Sequence, residues 1–377
     1  FDFAINKIKM GIEKRFANKG GNVVEKNIKA IDQATASIEE IKLPFVDFIE
    51  SIPNKKTFQE KINDLEGETL PVSEFINMPD GGMEPATSKL DKADTSTFIP
   101  CYNHENCIQC NMCSLVCPHG AIRPFLLNEN EVIDAPVEVV KNLGDIKLGD
   151  NTYKFIIGVS IKDCTGCGSC VESCPGLKGN KALKTIEKER ANHEVSDYLF
   201  NEVKYKENVM STNTVKGSQF VKPKFEFSGA CAGCGETPYI KLITQLFGDN
   251  MVVANATGCS SIYGASMPSM PYNIPWANSL FEDNAEYGFG MSVADSTFKE
   301  QIKALINNNI SIVKKSEKEI YTNYVNDINK DTAKSLYDII DDTKITELKQ
   351  LKDYIMPRSH WIIGGDGWAY DIGYNGI

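Results

Sequence analysis

The sequence predicts a chain of mixed class, α+β in its middle and α/β towards its C-terminal end. Three observations carry this. Eight of the 12 cysteines fall in two identical runs, each closed by a proline. The long stretch between those runs has strand-like apolar segments. The last third alternates strand, glycine turn and helix. In the first run Cys107, Cys110, Cys113 and Cys117 precede Pro118 as C-x2-C-x2-C-x3-C-P; Cys164, Cys167, Cys170 and Cys174 repeat the pattern before Pro175.

This is the run that holds two [4Fe–4S] clusters in bacterial-type ferredoxins, where the fourth cysteine of each run ligates the other cluster. Cluster 1 is therefore expected on Cys107, Cys110, Cys113 and Cys174, and cluster 2 on Cys117, Cys164, Cys167 and Cys170. Three thiolates two residues apart can wrap one cube of iron and sulfide. The x3-C-P that follows starts a short helix and turns its thiolate to the neighbouring cube, while proline fixes φ. Gly166 and Gly168 are expected to let the second loop approach its cluster without Cβ clashes. Zinc ribbons also use paired C-x2-C units, but zinc needs four ligands per site and no interleaved Cys-Pro. A disulfide framework fits poorly with a large chain lacking a visible signal peptide.

At 377 residues the chain has room for about two or three domains. Its 42% hydrophobic and 24% charged residues are ordinary for a globular protein, and a net charge of −11 argues against a nucleic-acid surface. An acidic surface suits a basic partner or simple solubility. No apolar run approaches the ~18 residues of a membrane span. The chain starts at Phe1 and ends inside what reads as a motif, so a fragment of a longer polypeptide is expected. Abundant cysteine without a secretion signal points to metal binding in a reducing compartment, with the cytoplasm expected, and not to secretion.

In chain order, residues 1–50 read as the helical end of a preceding domain: Ile28, Ile31 and Ile38 recur at helical spacing until Pro44 and Pro53. Residues 51–99 are turn-rich and read as a linker or strap, in which Phe75 and Ile76 could pack. Residues 100–190 form the cluster-bearing domain, with strands expected at Val137–Val140 and Tyr153–Ile161 in its insertion. Residues 222–377 form an open α/β domain. A helix is expected over Tyr239–Phe247, a buried strand over Met251–Ala254, and a turn before Ser260–Ala265. The charged stretches Phe298–Leu305 and Ile310–Ile355 read as a solvated helical surface. Trp361–Ile363 is a short strand feeding Gly364 to Gly367, and ligands of such sheets bind past the strand ends.

A second chemical site lies in this last domain. Cys231 and Cys234 form a tight C-x2-C loop before Glu236, and Cys259 sits in Thr-Gly-Cys-Ser. A [4Fe–4S] cluster takes four cysteines. Either a fourth ligand lies beyond residue 377 or another residue serves; the other reading is a redox dithiol beside an unrelated cysteine. Gly365-Asp366-Gly367 is the third signal. It reads as a plain turn, or as a Mg²⁺ site in which Asp366 supplies an oxygen and the glycines admit a diphosphate. The four histidines are scattered; His119, next to Cys117-Pro118, is open to a tuning or a packing role.

Several stretches together resemble the pyruvate:ferredoxin (or flavodoxin) oxidoreductases. They are Cys107–Pro118 with Ile122-Arg-Pro, Gly229–Tyr239, Ala254–Gly264, Trp276–Asp283 and Ser359–Tyr374. The resemblance implies a ferredoxin-like domain with two [4Fe–4S] clusters, followed by a thiamine-diphosphate domain incomplete at its C-terminus. It implies that Cys231, Cys234 and Cys259 are ligands of a proximal cluster whose fourth ligand lies downstream. By the same motifs Glu236 and Cys259 contact thiamine diphosphate, Gly365, Asp366, Gly367 and Trp368 form its diphosphate turn, and Asp366 binds Mg²⁺. The implied reaction is oxidative decarboxylation of pyruvate with coenzyme A, electrons leaving through three clusters to ferredoxin or flavodoxin. Pyruvate and coenzyme A would bind through domains absent here, the full-length protein would be a homodimer, and no residue here is assigned a catalytic role. The resemblance also admits the matrix of an anaerobic organelle as the compartment. The chain departs from the pattern at Cys101, where an aromatic is usual, and at Asn375, where glycine is usual. The alternatives are a pyruvate:NADP oxidoreductase fused to a flavin reductase, a sister 2-oxoacid enzyme, and an electron-transfer-only iron–sulfur module.

Overall fold

The structure, a computed structural model, describes residues 2–38, 56–78, 82–265, 269–365 and 367–369. Two compact units divide the chain at residue 55. In the first, helices Asp2–Phe16 and Gly21–Ala36 form a hairpin. Gly20 reverses the chain with φ of 92°, in a region where a Cβ is strained, and Lys9 pairs with Asp32 across the two helices. Pro44 and Pro53 lie outside the described residues.

The second unit opens with the helix Phe58–Asn63, started by a capping box between Thr57 and Glu60. Phe75 packs edge-on against Phe58 at 5.5 Å, whereas Ile76 is exposed. The strap then crosses to the C-terminal part of the chain. Ala86 N donates to Tyr272 O at 2.8 Å, and buried Ser88 donates its hydroxyl to Glu226 O at 2.7 Å.

Strand β1 (Phe98–Tyr102) pairs antiparallel with β5 (Leu183–Glu187), closing the cysteine-rich region at its two ends. The insertion between the runs builds its own antiparallel sheet, with β2 (Ile122–Leu127), β3 (Gly144–Leu148) and β4 (Asn151–Val159) in the order β2-β4-β3. The strand expected at Val137–Val140 is instead a helix, Val137–Lys141. Pro136 presets the first turn, and Val139 is buried while Val137 and Val140 are exposed. One anchor per turn suits a helix, and the β propensity of valine yields to that context.

In the last region β6 (Met251–Ala256) is the centre of a parallel sheet, flanked by β7 (Trp276–Ser279) and β8 (Ser359–Ile363). All six residues of β6 are buried, as expected of a strand covered on both faces. Helix Thr237–Phe247 precedes it, and helix Asn284–Asn309 packs against the sheet. A Cβ on Gly288 would stand 2.6 Å from Ile362 Cγ1, so only glycine lets this helix lie so close to β8. The charged stretch expected as a solvated surface has a core of its own. Ile302, Tyr321, Tyr324, Leu336, Ile340 and Leu348 are fully buried among its helices, and the charges line the outside.

Candidate iron–sulfur centres and the adjoining cysteine site

Each C-x2-C-x2-C run wraps a loop and then enters one helical turn, Met112–Leu115 or Ser169–Glu172. The loops need left-handed backbone: Gln109 and Asn111 supply it in the first run, Gly166 and Gly168 in the second. Gly166 is required for close approach to protein atoms, since a Cβ there would lie 2.5 Å from Ser96 Oγ and 2.7 Å from Phe98 O. At Gly168 space is open and the positive φ is the only demand.

The two runs exchange their last members. One cavity is lined by Cys107, Cys110, Cys113 and Cys174. A second is lined by Cys117, Cys164, Cys167 and Cys170. Burial, together with neighbouring thiols, pushes the Cys113 thiol well up and brings Cys164 to about 11 and Cys170 to about 12. Thiols so raised stay protonated at neutral pH unless a cation displaces the protons, and iron bound as thiolate does this. Backbone N–H groups already point at sulfur: Gln109 N lies 3.3 Å from Cys107 Sγ and Ala182 N 3.3 Å from Cys174 Sγ. Such bonds stabilise thiolate ligands and tune a cluster's potential.

Among the described residues no three His, Cys, Asp or Glu close around a single ion. Zinc, at about 2.3 Å from each sulfur, would draw four thiolates nearly into contact. Four thiols lining one cavity are the donor set that a [4Fe–4S] cluster takes.

The third cysteine set differs. Cys231 and Cys259 are exposed and Cys234 is partly so. Cys259 opens helix Cys259–Gly264 just past the end of β6, and the Glu236 carboxylate faces Tyr263 and Tyr272. Gly365 and Gly367 follow β8, and Trp368 is buried against Ala256 and Ala285. Asp366 lies outside the described residues. Buried polar atoms without a partner among the described residues gather at this strand edge: Asn255 Oδ1, Ser260 Oγ, Asn284 Oδ1 and Trp368 Nε1. A Cβ on Gly258 or Gly365 would meet nothing within 4 Å. An open glycine-lined edge with unsatisfied polar atoms fits a polar ligand bound past the strand ends.

Two links join this edge to the cysteine cavities. His119, two residues after Cys117, is buried with Nδ1 3.0 Å from Ser228 O, and burial holds its pKa below the usual value. A Cβ on Gly233, inside the Cys231–Cys234 loop, would stand 3.7 Å from Cys167 Cβ. The sequence marked His119 but not its partner. It also left unmarked the buried pair Arg123–Glu226, 2.5 Å apart, and Lys241. The signal for Lys241 was present: Thr237, Ile240, Lys241, Thr244 and Gln245 share one helix face, and that face is buried. Cys101 lies exposed on β1 and lines neither cysteine-quartet cavity.

Two quartets of thiols, buried or half-buried except for exposed Cys167 and interleaved from two runs, define a two-cluster iron–sulfur protein. Residues 103–178 match the family described as 4Fe-4S dicluster domain. Over 100% of its length the chain is 42% identical to a pyruvate:ferredoxin oxidoreductase of Moorella thermoacetica, and over 99% it is 38% identical to a pyruvate-flavodoxin oxidoreductase of Klebsiella pneumoniae. It covers 35% and 34% of those two proteins, so it spans about a third of their length. A pyruvate dehydrogenase [NADP(+)] of Cryptosporidium parvum is 36% identical over 100% of the chain, which covers 24% of that protein. The chain belongs to the pyruvate:ferredoxin/flavodoxin oxidoreductase family, of which it represents one segment. Among the described residues no helix is long and apolar enough to cross a membrane.

Proposed function

We propose that this chain is the electron-exit segment of a thiamine-dependent pyruvate oxidoreductase. It would hold two [4Fe–4S] clusters and one wall of the thiamine diphosphate site, and pass electrons to ferredoxin or flavodoxin. The supporting observation is the placement of the Cys231–Cys234 loop. It precedes Glu236, and a Cβ added at its Gly233 would stand 3.7 Å from Cys167 Cβ of the second quartet, so the loop lies beside that quartet. Cys113 and Cys170 are near enough to influence each other electrostatically, so the second quartet neighbours the first. Three centres would thus follow one another from the strand edge into the cysteine-rich region.

Thiamine diphosphate, when bound, supplies the electron sink for decarboxylating a 2-oxoacid, and the clusters supply one-electron carriers. The protein's own share is binding and orientation. Glu236 and Cys259 would face the thiazolium side of the site, and Gly365, Gly367 and Trp368 would form the diphosphate turn, with Asp366 on Mg²⁺. Cys231, Cys234 and Cys259 would hold the proximal cluster with a fourth ligand from elsewhere. The first quartet would be the last station before the acceptor.

The Cryptosporidium relative supports a second reading, in which the acceptor is NADP by way of a further reductase. Calorimetric titration of the full-length protein with thiamine diphosphate and Mg²⁺ tests the proposal. Binding that is lost in Asp366→Ala supports it. Absence of binding to the unaltered protein would leave an electron-transfer module and overturn the thiamine assignment.

A further inference from the structure

Helix Thr237–Phe247 belongs to the parallel-sheet region, yet one of its side chains ends beneath the cysteine-rich region. Lys241 is 1% exposed. Its Nζ donates to the Ser114 carbonyl and, at 3.2 Å, to Gln219 Oε1. Ser114 stands between Cys113 and Cys117, and its carbonyl also receives the Cys117 N–H at 3.3 Å. Cys113 lines the first cavity and Cys117 the second. The ammonium therefore sits under the short helix that joins the two quartets.

The site is built to hold it. Gln219 accepts from Ser114 Oγ at 2.9 Å and donates to Gln245 Oε1 at 3.1 Å, and Gln245 in turn donates to Val221 O at 2.7 Å. Among the described residues no carboxylate pairs with the ammonium. Burial pushes the Lys241 pKa down to about 8, and the groups acting on it next are Cys117, Arg123 and Cys113. The neighbouring Glu226 is already taken by Arg123. A buried cation without a counter-charge is unfavourable, so an anion is expected close by. A four-iron cluster on four thiolates carries net negative charge and gains another on reduction.

We propose that Lys241 is the shared buried counter-charge of the two clusters, a positioning residue that raises the reduction potential of both. The inference rests on the two-cluster reading, which the iron content of the unaltered protein tests separately. It also gives the parallel-sheet region a direct electrostatic hold on the electron path, through a side chain that binds neither cluster nor substrate.

The test is an EPR-monitored redox titration of the anaerobically purified protein and of Lys241→Gln, Lys241→Met and Lys241→Arg, with iron determined on each. Both cluster potentials should move to more negative values in the glutamine and methionine variants and stay near the original in the arginine variant. If the neutral variants lose their clusters and the arginine variant keeps them, the cation is needed to retain the clusters and the proposal stands. Unchanged potentials in a fully loaded neutral variant overturn it. So does cluster loss in all three variants, or an arginine variant shifted as far as the neutral ones, since either marks a packing role.

Discussion

The cysteine-rich region and the parallel-sheet region carry thiols in opposite settings. In the first, Cys113, Cys117 and Cys170 are at most 9% exposed, and two complete quartets line cavities beside an apolar core that includes Ile122, Phe155 and Leu183. In the second, Cys231 and Cys259 are exposed and Cys234 partly so, near polar atoms without partners among the described residues. The first region therefore completes its sites from its own residues. On the proposed reading the second presents only one wall of a ligand site. The exposed member of the second quartet, Cys167, lies beside the Cys231–Cys234 loop, where a Cβ added at Gly233 would stand 3.7 Å from its own.

Four changes would break or sharpen this contrast. The largest effect is expected from Cys117→Ser. It should cost the second cluster and leave the first, taking iron from about eight to about four per chain, as for two four-iron sites; metal analysis reads it directly. Next comes Glu226→Leu, which leaves the buried Arg123 guanidinium unpaired. Removing one partner of such a pair costs about 3–5 kcal/mol, and denaturant unfolding of the loaded protein should show it. On the open side, Gly288→Ala forces a Cβ to within 2.6 Å of Ile362. Overpacking of this kind costs about 1–3 kcal/mol and should lower thermal stability while iron content holds.

The smallest effect concerns Glu131, whose carboxylate meets Lys206 at 2.6 Å. Burial raises its pKa, but Lys206 and the backbone N–H groups of Asn128 and Lys204 outweigh that, and the net shift is downward. A lowered carboxylate pKa means stability that is present above the unfolded-state value and is lost as pH falls through the folded one. Glu131→Gln should therefore narrow the stability difference between pH 7 and acid by up to about 1 kcal/mol. An unchanged difference in urea unfolding would show that this pair does not contribute.

The cysteine pattern made the first region legible because ligand spacing is dictated by the cluster. The exchange of Cys117 and Cys174 between cavities follows from the same rule. Periodicity found β4, β6, β8 and the helix ending at Phe247, each strongly apolar on one face or both. It misread Val137–Val140, where one buried valine per turn outweighs a β-branched run. It also missed the core under the charged helices of 310–355, because tyrosines such as Tyr321 and Tyr324 are spaced among many charges and their burial depends on tertiary packing. Lys241 and the Arg123–Glu226 pair were hidden for another reason. A buried charge is recognisable only once its partners, distant in sequence, are placed around it.

The interleaving of the quartets is tested most directly by iron content in two double variants. Cys174→Ser with Cys107→Ser removes two ligands of one cluster, and about four irons should remain. Cys174→Ser with Cys164→Ser removes one ligand from each, and almost no iron should remain. The reverse order, with iron kept in the second pair and lost in the first, would mean that each run holds its own cluster, and would contradict the account.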